Sequence, residues 1–419
     1  MLGCSTKSEV KKQIGDLLYI PQSASNYSSV LDSNISQAEQ SKFESQYFSA
    51  WNMDTPEGDK ESIQWAFNTF KAGKSYAENL QLHDEKFFDA MKENAQYKQY
   101  ASLNARAVSL QELNIRAFPT DRPLLRDPQR AGEGFPFDYL QNSTIHANKP
   151  LLVTHYSKDK EWVHVFSSFA YGWVKTSEVA FLEKRYTHLW QKAEQIIITK
   201  EDEPIYSEDG TFLFKTKIGM MFALIAETEK EYTVLTVSKY RNSEPLFLKS
   251  KISKSYATKG ILDFNSQNIN MIIDEISKSN YGWGGIYGQR DCSSTLRDTF
   301  MPFGIWLPRN SYQQSKVGEV ISLDGLLDEA KIALIKERAV PFKTLLYKQG
   351  HIVLYVGTFN DEIVVFQNTW GIKTNEDGVE GRFIVGKTIF STLRVGNDLD
   401  GYDEDAGLLR SLKSMNTLH

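Results

Sequence analysis

Residues 281–300 read Tyr-Gly-Trp-Gly-Gly-Ile-Tyr-Gly-Gln-Arg-Asp-Cys-Ser-Ser-Thr-Leu-Arg-Asp-Thr-Phe. A glycine-rich turn runs into Cys292, and Leu296 and Phe300 follow it at helical spacing, which predicts a helix beginning at or just after the cysteine. That placement has chemical consequences. The first turn of a helix carries unpaired N–H groups and the positive end of the dipole, and both favour thiolate over thiol. The same N–H groups are donors for a tetrahedral oxyanion. An inert, buried cysteine is the alternative, and the polar neighbours Asp291, Ser293 and Ser294 argue against a purely apolar socket.

A cysteine nucleophile needs a base and a group to orient it. His351 opens the apolar run 351–356 (His-Ile-Val-Leu-Tyr-Val), a strand edge that would hold an imidazole rigidly. The next apolar run, 363–366, ends in Gln367 and Asn368, two amides able to accept the imidazole N–H. A one-residue change of register flips a strand's faces, so only one of the two points at His351.

Further out, the 419 residues exceed one compact core and suggest two to four domains at ~150 residues each. Lys and Arg total 48 against 53 Asp and Glu, a net charge of -5. No basic excess exists for a phosphate backbone, which excludes general nucleic-acid binding. The two cysteines, Cys4 and Cys292, lie at opposite ends of the chain, which excludes a disulfide framework; no Cys-x-x-Cys metal site exists, and neither a metal nor a cofactor is expected. The longest apolar run, 218–226, is too short for the ~20 residues of a membrane span.

Residues 1–110 read as a helical region. Ile63, Ala66, Phe67 and Phe70, and likewise Phe43, Tyr47 and Trp51, form core stripes. Residues 111–184 and 185–255 carry alternating segments and turn signals, two small β-barrels joined by the polar connector 184–194. Trp162, His164 and Phe166 give a half-buried strand, with His164 as a strand-face residue. Asp209-Gly210 marks a hairpin. Residues 256–419 mix helix and strand, with a helix expected over 261–279. The fold class is therefore multidomain: an α+β unit preceded by a helical region and two barrels.

The Tyr-x-Trp-Gly-Gly, Asp-Cys-Ser and strand-borne His elements resemble the NlpC/p60 cysteine peptidases of bacterial cell-wall metabolism, as does the segment 307–314 (Leu-Pro-Arg-Asn-Ser-Tyr-Gln-Gln). Residues 113–180, with Ile115–Thr120 and Phe135–Gln141, resemble the bacterial SH3-like domain fused to one branch of that family, and Phe48–Asn52 resembles its N-terminal clip. The resemblance implies a papain-like catalytic domain, with Cys292 as nucleophile, His351 as base and Gln367, or Asn368 one residue on, as the third residue. It places Tyr281 near the oxyanion, and Asp291, Ser293 and Ser311 against the free amine and polar atoms of an L-Ala-γ-D-Glu stem. Asp291 then selects stems with a free ammonium. Tyr139 or Tyr171 of the first barrel are weaker cleft candidates. The family's Pro-Gly-Asp-Leu before the histidine strand is replaced here by Pro341-Phe342-Lys343-Thr344, which leaves the loop beside the base open.

The implied activity is hydrolysis of peptidoglycan stem peptides at the γ-D-glutamyl–diaminopimelate bond through a thioester. The implied partner is an L-Ala-γ-D-Glu-diamino acid stem. Two alternatives stand beside it: a non-catalytic peptidoglycan-binding protein, and an acyltransferase or amidase using the same thioester. An activated Cys292 would label fast near pH 6–7. Leu2-Gly3-Cys4-Ser5 resembles the end of a bacterial lipoprotein signal, which makes Cys4 a lipidation candidate. The expected location is the periplasmic side of the bacterial cell envelope, with the membrane reached only through that anchor.

Overall fold

The computed structural model describes residues 13–28, 37–56, 58–59, 61–240 and 244–418; Cys4 lies outside them. Four bodies follow one another along the chain, and each sheet is antiparallel.

The N-terminal region is less helical than its composition suggests. Its helices Gln37–Tyr47 and Ser49–Asn52 follow one another directly, whereas Trp65–Thr69 and Glu85–Asn94 are set apart by long connections. They are held by the aromatic stripes read from the sequence: Phe43, Tyr47 and Trp51 are buried, and Trp51 meets Trp190 edge-on with ring centroids 5.5 Å apart. Residues further upstream reach the far end of the chain, where Gln22 donates to the Phe390 carbonyl and accepts from the Phe390 N–H.

The first barrel is a seven-stranded sheet that includes Ala105–Ser109. This strand lies N-terminal to the boundary expected at residue 111. Its Ala107 pairs with both Leu151 and Phe181, so its backbone groups are satisfied only inside the barrel. The strand Trp162–Phe166 is buried on every residue, not half-buried, because the N-terminal region covers its outer face. The second barrel orders its strands Pro245–Ser253, Glu231–Lys239, Met221–Glu227, Gln195–Ile198 and Ala257–Lys259. Its last strand runs past the expected end at residue 255. The segment 184–194, read as a plain connector, contains the helix Lys184–Lys192 with Trp190 buried.

The C-terminal body is a six-stranded sheet with helices on both faces. Strand periodicity sets which residues face which layer. Leu354, Val356, Val364 and Phe366 pack with Ile272, Ile276, Leu296 and Phe300 of the helices Ser266–Ile276 and Cys292–Phe300. Val353, Tyr355, Ile363 and Val365 pack on the other side with Ile335 and Leu409. Within Ser266–Ile276 the buried stripe is Ile269, Ile272, Ile273 and Ile276, whereas Met271 is exposed.

Candidate active site

Cys292 is the first residue of its helix and is 7% exposed. The helix begins there because Asp291 caps it: the Asp291 carboxylate accepts from the Ser294 N–H at 2.8 Å, and Ser294 Oγ accepts from the Asp291 N–H at 2.9 Å. This reciprocal box satisfies two donors that would otherwise be orphaned. The electrostatic outcome differs from the sequence expectation. Burial first, then the Asp291 charge, push the Cys292 thiol up to about 12; the Ile352 and Ser293 N–H groups and Arg309 pull it down by less. The cap that starts the helix thus sets an anion beside the sulfur and outweighs the helix end. At rest Cys292 is a neutral thiol, and fast labelling near pH 6–7 is not expected of this geometry.

His351 stands at the first position of the strand His351–Phe359, and its Nε2 lies 2.8 Å from Gln367 Oε1. The hydrogen-bond chain beyond Gln367 sets the tautomer. Ser391 Oγ donates to the Thr392 carbonyl and therefore accepts from Gln367 Nε2, at 2.6 Å. That turns Gln367 Oε1 toward the imidazole, and an amide oxygen only accepts. Nε2 must then carry the proton, which leaves Nδ1 as the basic nitrogen. Burial holds His351 near 4, partly offset by the Gln367 bond. The imidazole is therefore neutral at physiological pH, as a proton acceptor must be.

Asn368 faces the opposite way. Its amide donates to the Arg290 carbonyl at 2.9 Å and to Thr295 Oγ1 at 3.1 Å, tying the sheet to the nucleophile helix. Of the two amides left open by the sequence, Gln367 meets His351 and Asn368 braces Cys292's support.

Tyr281 packs on Trp370 with ring centroids 5.9 Å apart. Burial, then the neighbouring Cys292 and Asp291, hold its phenol well above the ordinary value, so it is a neutral donor. Ser293 Oγ donates to Asp291 at 3.1 Å. Ser311 opens the short helix Ser311–Gln314, and its side chain makes no hydrogen bond to Asp291, Ser293 or Cys292. The residue that does reach Asp291 and Ser293 is Arg309, of the segment 307–314. Arg309 pairs with both Asp291 oxygens, at 3.2 and 2.7 Å, and donates to Ser293 Oγ at 2.9 Å. Its Nε donates to Ser143 Oγ of the first barrel at 2.7 Å. The Asp291 carboxylate expected to take a stem ammonium is thus already charge-matched, and an ammonium arriving there would have to share it with Arg309.

Comparison with known proteins agrees with this layout. Residues 278–382 match the NlpC/P60 family model, and residues 1–100 match the model of the NlpC/P60 N-terminal stabilising domain. Residues 123–175 match an SH3 domain of SH3b1 type, and residues 186–229 one of SH3b2 type. The chain carries an NlpC/P60 domain together with that family's N-terminal stabilising domain. The structure is similar to that of an NlpC/P60 endopeptidase from Photobacterium damselae subsp. piscicida, at 23% identity and a TM-score of 0.83 over 95% of this chain and 97% of the other. An NlpC/P60 family protein from Bacillus cereus aligns at 15% identity and a TM-score of 0.46, over 66% of this chain and 81% of that one. No curated protein matched in a sequence comparison. The NlpC/P60 family is one of cysteine peptidases, and the expected architecture of a helical region, two SH3-like barrels and an α+β catalytic domain is the one observed.

Both SH3 domains press against the loop that delivers Cys292. Gly284 and Gly285 have φ of +61° and +87°, and a Cβ on Gly285 would lie 2.5 Å from Thr144 Oγ1, so this NlpC/P60 loop seats on the first barrel only without side chains there. Trp283 Nε1 donates to the Asp138 carbonyl at 2.9 Å, and Phe137 lies edge-on to both Trp283 and Trp370. From the second barrel, Glu201 pairs with Arg290 at 2.8 Å, while Arg290 also holds Asp298 of the nucleophile helix at 2.7 Å. Tyr139 packs on Trp283, whereas Tyr171 turns away, stacking on Phe166. Among the described residues, no cluster able to hold a metal ion occurs, and no helix is long and apolar enough to cross a membrane.

Proposed function

We propose that this protein is a cysteine endopeptidase that hydrolyses the γ-D-glutamyl–diaminopimelate bond of peptidoglycan stem peptides. The observation that carries the reading is the fixed tautomer of His351. The Ser391–Gln367 chain leaves Nδ1 basic, and Cys292 stands at the capped helix start with its sulfur against the Ile352 N–H, one residue from the imidazole.

The two groups rest as neutral thiol and neutral imidazole. Substrate binding displaces water, and the thiol proton passes to His351 Nδ1 as sulfur attacks the γ-carbonyl carbon. The carbonyl oxygen becomes an oxyanion facing the Tyr281 hydroxyl and the N–H groups of the helix start. The C–N bond then breaks, the leaving amine takes the Nδ1 proton, and a thioester remains on Cys292. Water, deprotonated by Nδ1, cleaves the thioester and returns the thiol. Cys292, His351 and Gln367 supply the chemistry in this reading, and Tyr281, Asp291 and Ser293 hold the oxyanion and the nucleophile in place. In this reading Ser311 contacts the substrate and takes no part in the chemistry.

The test is digestion of purified muropeptides by wild type and Cys292→Ala, read by mass spectrometry. New γ-D-Glu and diaminopimelate ends with the wild type alone support the proposal; identical products from both overturn it. Added amine acceptors in the same digest separate hydrolysis from acyl transfer. As part of the same proposal, the envelope location and lipidation of Cys4 rest on Leu2-Gly3-Cys4-Ser5 alone, and metabolic labelling with a palmitate analogue, lost in Cys4→Ala, tests them.

A further inference from the structure

Beside His351, on the sheet face away from the nucleophile helix, lies a cavity of about 240 Å³. His351 and Gln367 form one wall, and Lys348, Lys373, Arg382 and Asp403 supply its charge. Most of that charge is internally matched. Lys373 pairs with Glu380 and Asp403 at 3.4 and 3.2 Å, and Arg382 pairs with Glu380 at 2.8 Å. Lys348 is the exception. It is half-buried and donates to the Ala406 carbonyl at 2.8 Å, and among the described residues no carboxylate stands within ion-pair distance of it. Burial and the nearby Arg382 both disfavour its charge, with only partial relief from Asp403. A desolvated cation without an anion is costly, and a carboxylate entering the cavity relieves that cost.

The position gives the carboxylate an owner. Lys348 and His351 are directly paired across the Gln349-Gly350 turn. His351 delivers its proton to the leaving amine, so the amino acid bearing that amine has to lie on the His351 side of the scissile bond. We infer that this cavity seats the leaving amino acid and that Lys348 binds a carboxylate which that residue carries. The inference rests on the endopeptidase reading and adds to it a specificity-determining residue. The carboxylate has two sources: the α-carboxylate of a residue at the stem's end, or the side-chain carboxylate that diaminopimelate has and lysine lacks.

Four synthetic peptides L-Ala-γ-D-Glu-X separate the sources, with X as diaminopimelate, L-lysine, diaminopimelate α-carboxamide or L-lysinamide. The wild type is expected to cut the lysinamide peptide with a kcat/KM lower by about tenfold or more than the diaminopimelate peptide, with the difference in KM. Whichever single-carboxylate peptide behaves like diaminopimelate identifies the source. Lys348→Met should level the series, and Lys348→Arg should preserve it. Equal treatment of all four peptides by the wild type overturns the inference, as does a Lys348→Met variant that weakens all four alike, the mark of a structural role. Calorimetric binding of the same peptides to Cys292→Ala reads the cavity without turnover. A Lys348-dependent carboxylate preference there, with no cleavage by the wild type, would refute the peptidase reading and leave the cavity assignment standing. Neither cleavage nor binding refutes both.

Discussion

Replacing Arg309 with methionine removes a cation from the buried ion pair at the nucleophile's cap. Arg309 and Asp291 are 10% and 13% exposed, and the guanidinium makes four hydrogen bonds: two to Asp291, one to Ser293 and one to Ser143. Breaking an exposed pair would cost at most about 1 kcal/mol, whereas stranding a buried charge costs about 3–5 kcal/mol. Asp291 would keep its bonds from the Ser294 N–H and Ser293 Oγ, which sets the expectation at the lower end, about 3 kcal/mol. The same change moves Cys292 in a defined direction. Arg309 lowers the thiol's pKa and Asp291 raises it, so the variant's thiol should ionise later still. The assay is a denaturation midpoint followed by fluorescence, with Cys292 alkylation rates measured across pH. Adding Asp291→Asn to Arg309→Met removes the stranded charge while keeping a helix-capping residue, and should recover most of the stability and bring alkylation to lower pH. A loss below about 1 kcal/mol, or a double variant no more stable than the single, would refute the argument that this pair is buried and matched.

Gln367→Leu removes the acceptor that fixes the His351 tautomer and should lower kcat by about 10²-fold or more with little change in KM, while Gln367→His, which can also accept, should retain more activity; equal kcat in wild type and Gln367→Leu would refute the role. Stability should fall as pH drops from about 6.5 to about 4. Burial holds His155 near 4 and His164 well below its usual value, so the unfolded chain binds more protons than the native one in that window. His155 alone, 1% exposed, contributes about 3 kcal/mol that is fully present above pH 6.5 and lost toward pH 4. His146 acts in the opposite sense: burial lowers it, but Asp298 and Glu112 together raise it by more, so its contribution is present below pH 6.5 and lost as pH rises. Urea midpoints from pH 4 to 7 check the sum, and a flat profile would contradict neutral burial of His155 and His164. Gly285→Ala, at φ +87° with its new Cβ on Thr144, should destabilise the protein by about 1–3 kcal/mol in a melting experiment; an unchanged Tm would mean the loop does not rest on the barrel.

Much of the site was legible because its signals are local. The apolar runs 351–356 and 363–366 marked both strands, and the backbone's alternation then sends successive residues to the two cores. The helix start at Cys292 was readable from Leu296 and Phe300. Boundaries were less so: Ala105–Ser109 and Ala257–Lys259 are short, and only their partners across the barrels make them strands. Arg309 sits in the segment 307–314, yet nothing in the chain between indicates that it reaches Asp291 and Ser143. Ser143 carries no local signal at all.

Residue order alone indicated the four-body layout and singled out Cys292 and His351 as candidates, because helix and strand periodicity depend on neighbours a few positions apart. Folding in three dimensions decided the rest. It chose Gln367 over Asn368, because strand register selects a face and the Ser391 bond then orients the amide. It also made Cys292 a resting thiol, because burial and the charge of its own cap outweigh the helix end. Register, burial and charge pairing are sums over residues far apart in the chain, such as Ser143 with Arg309 and Glu201 with Arg290, and only the packed structure brings those partners together.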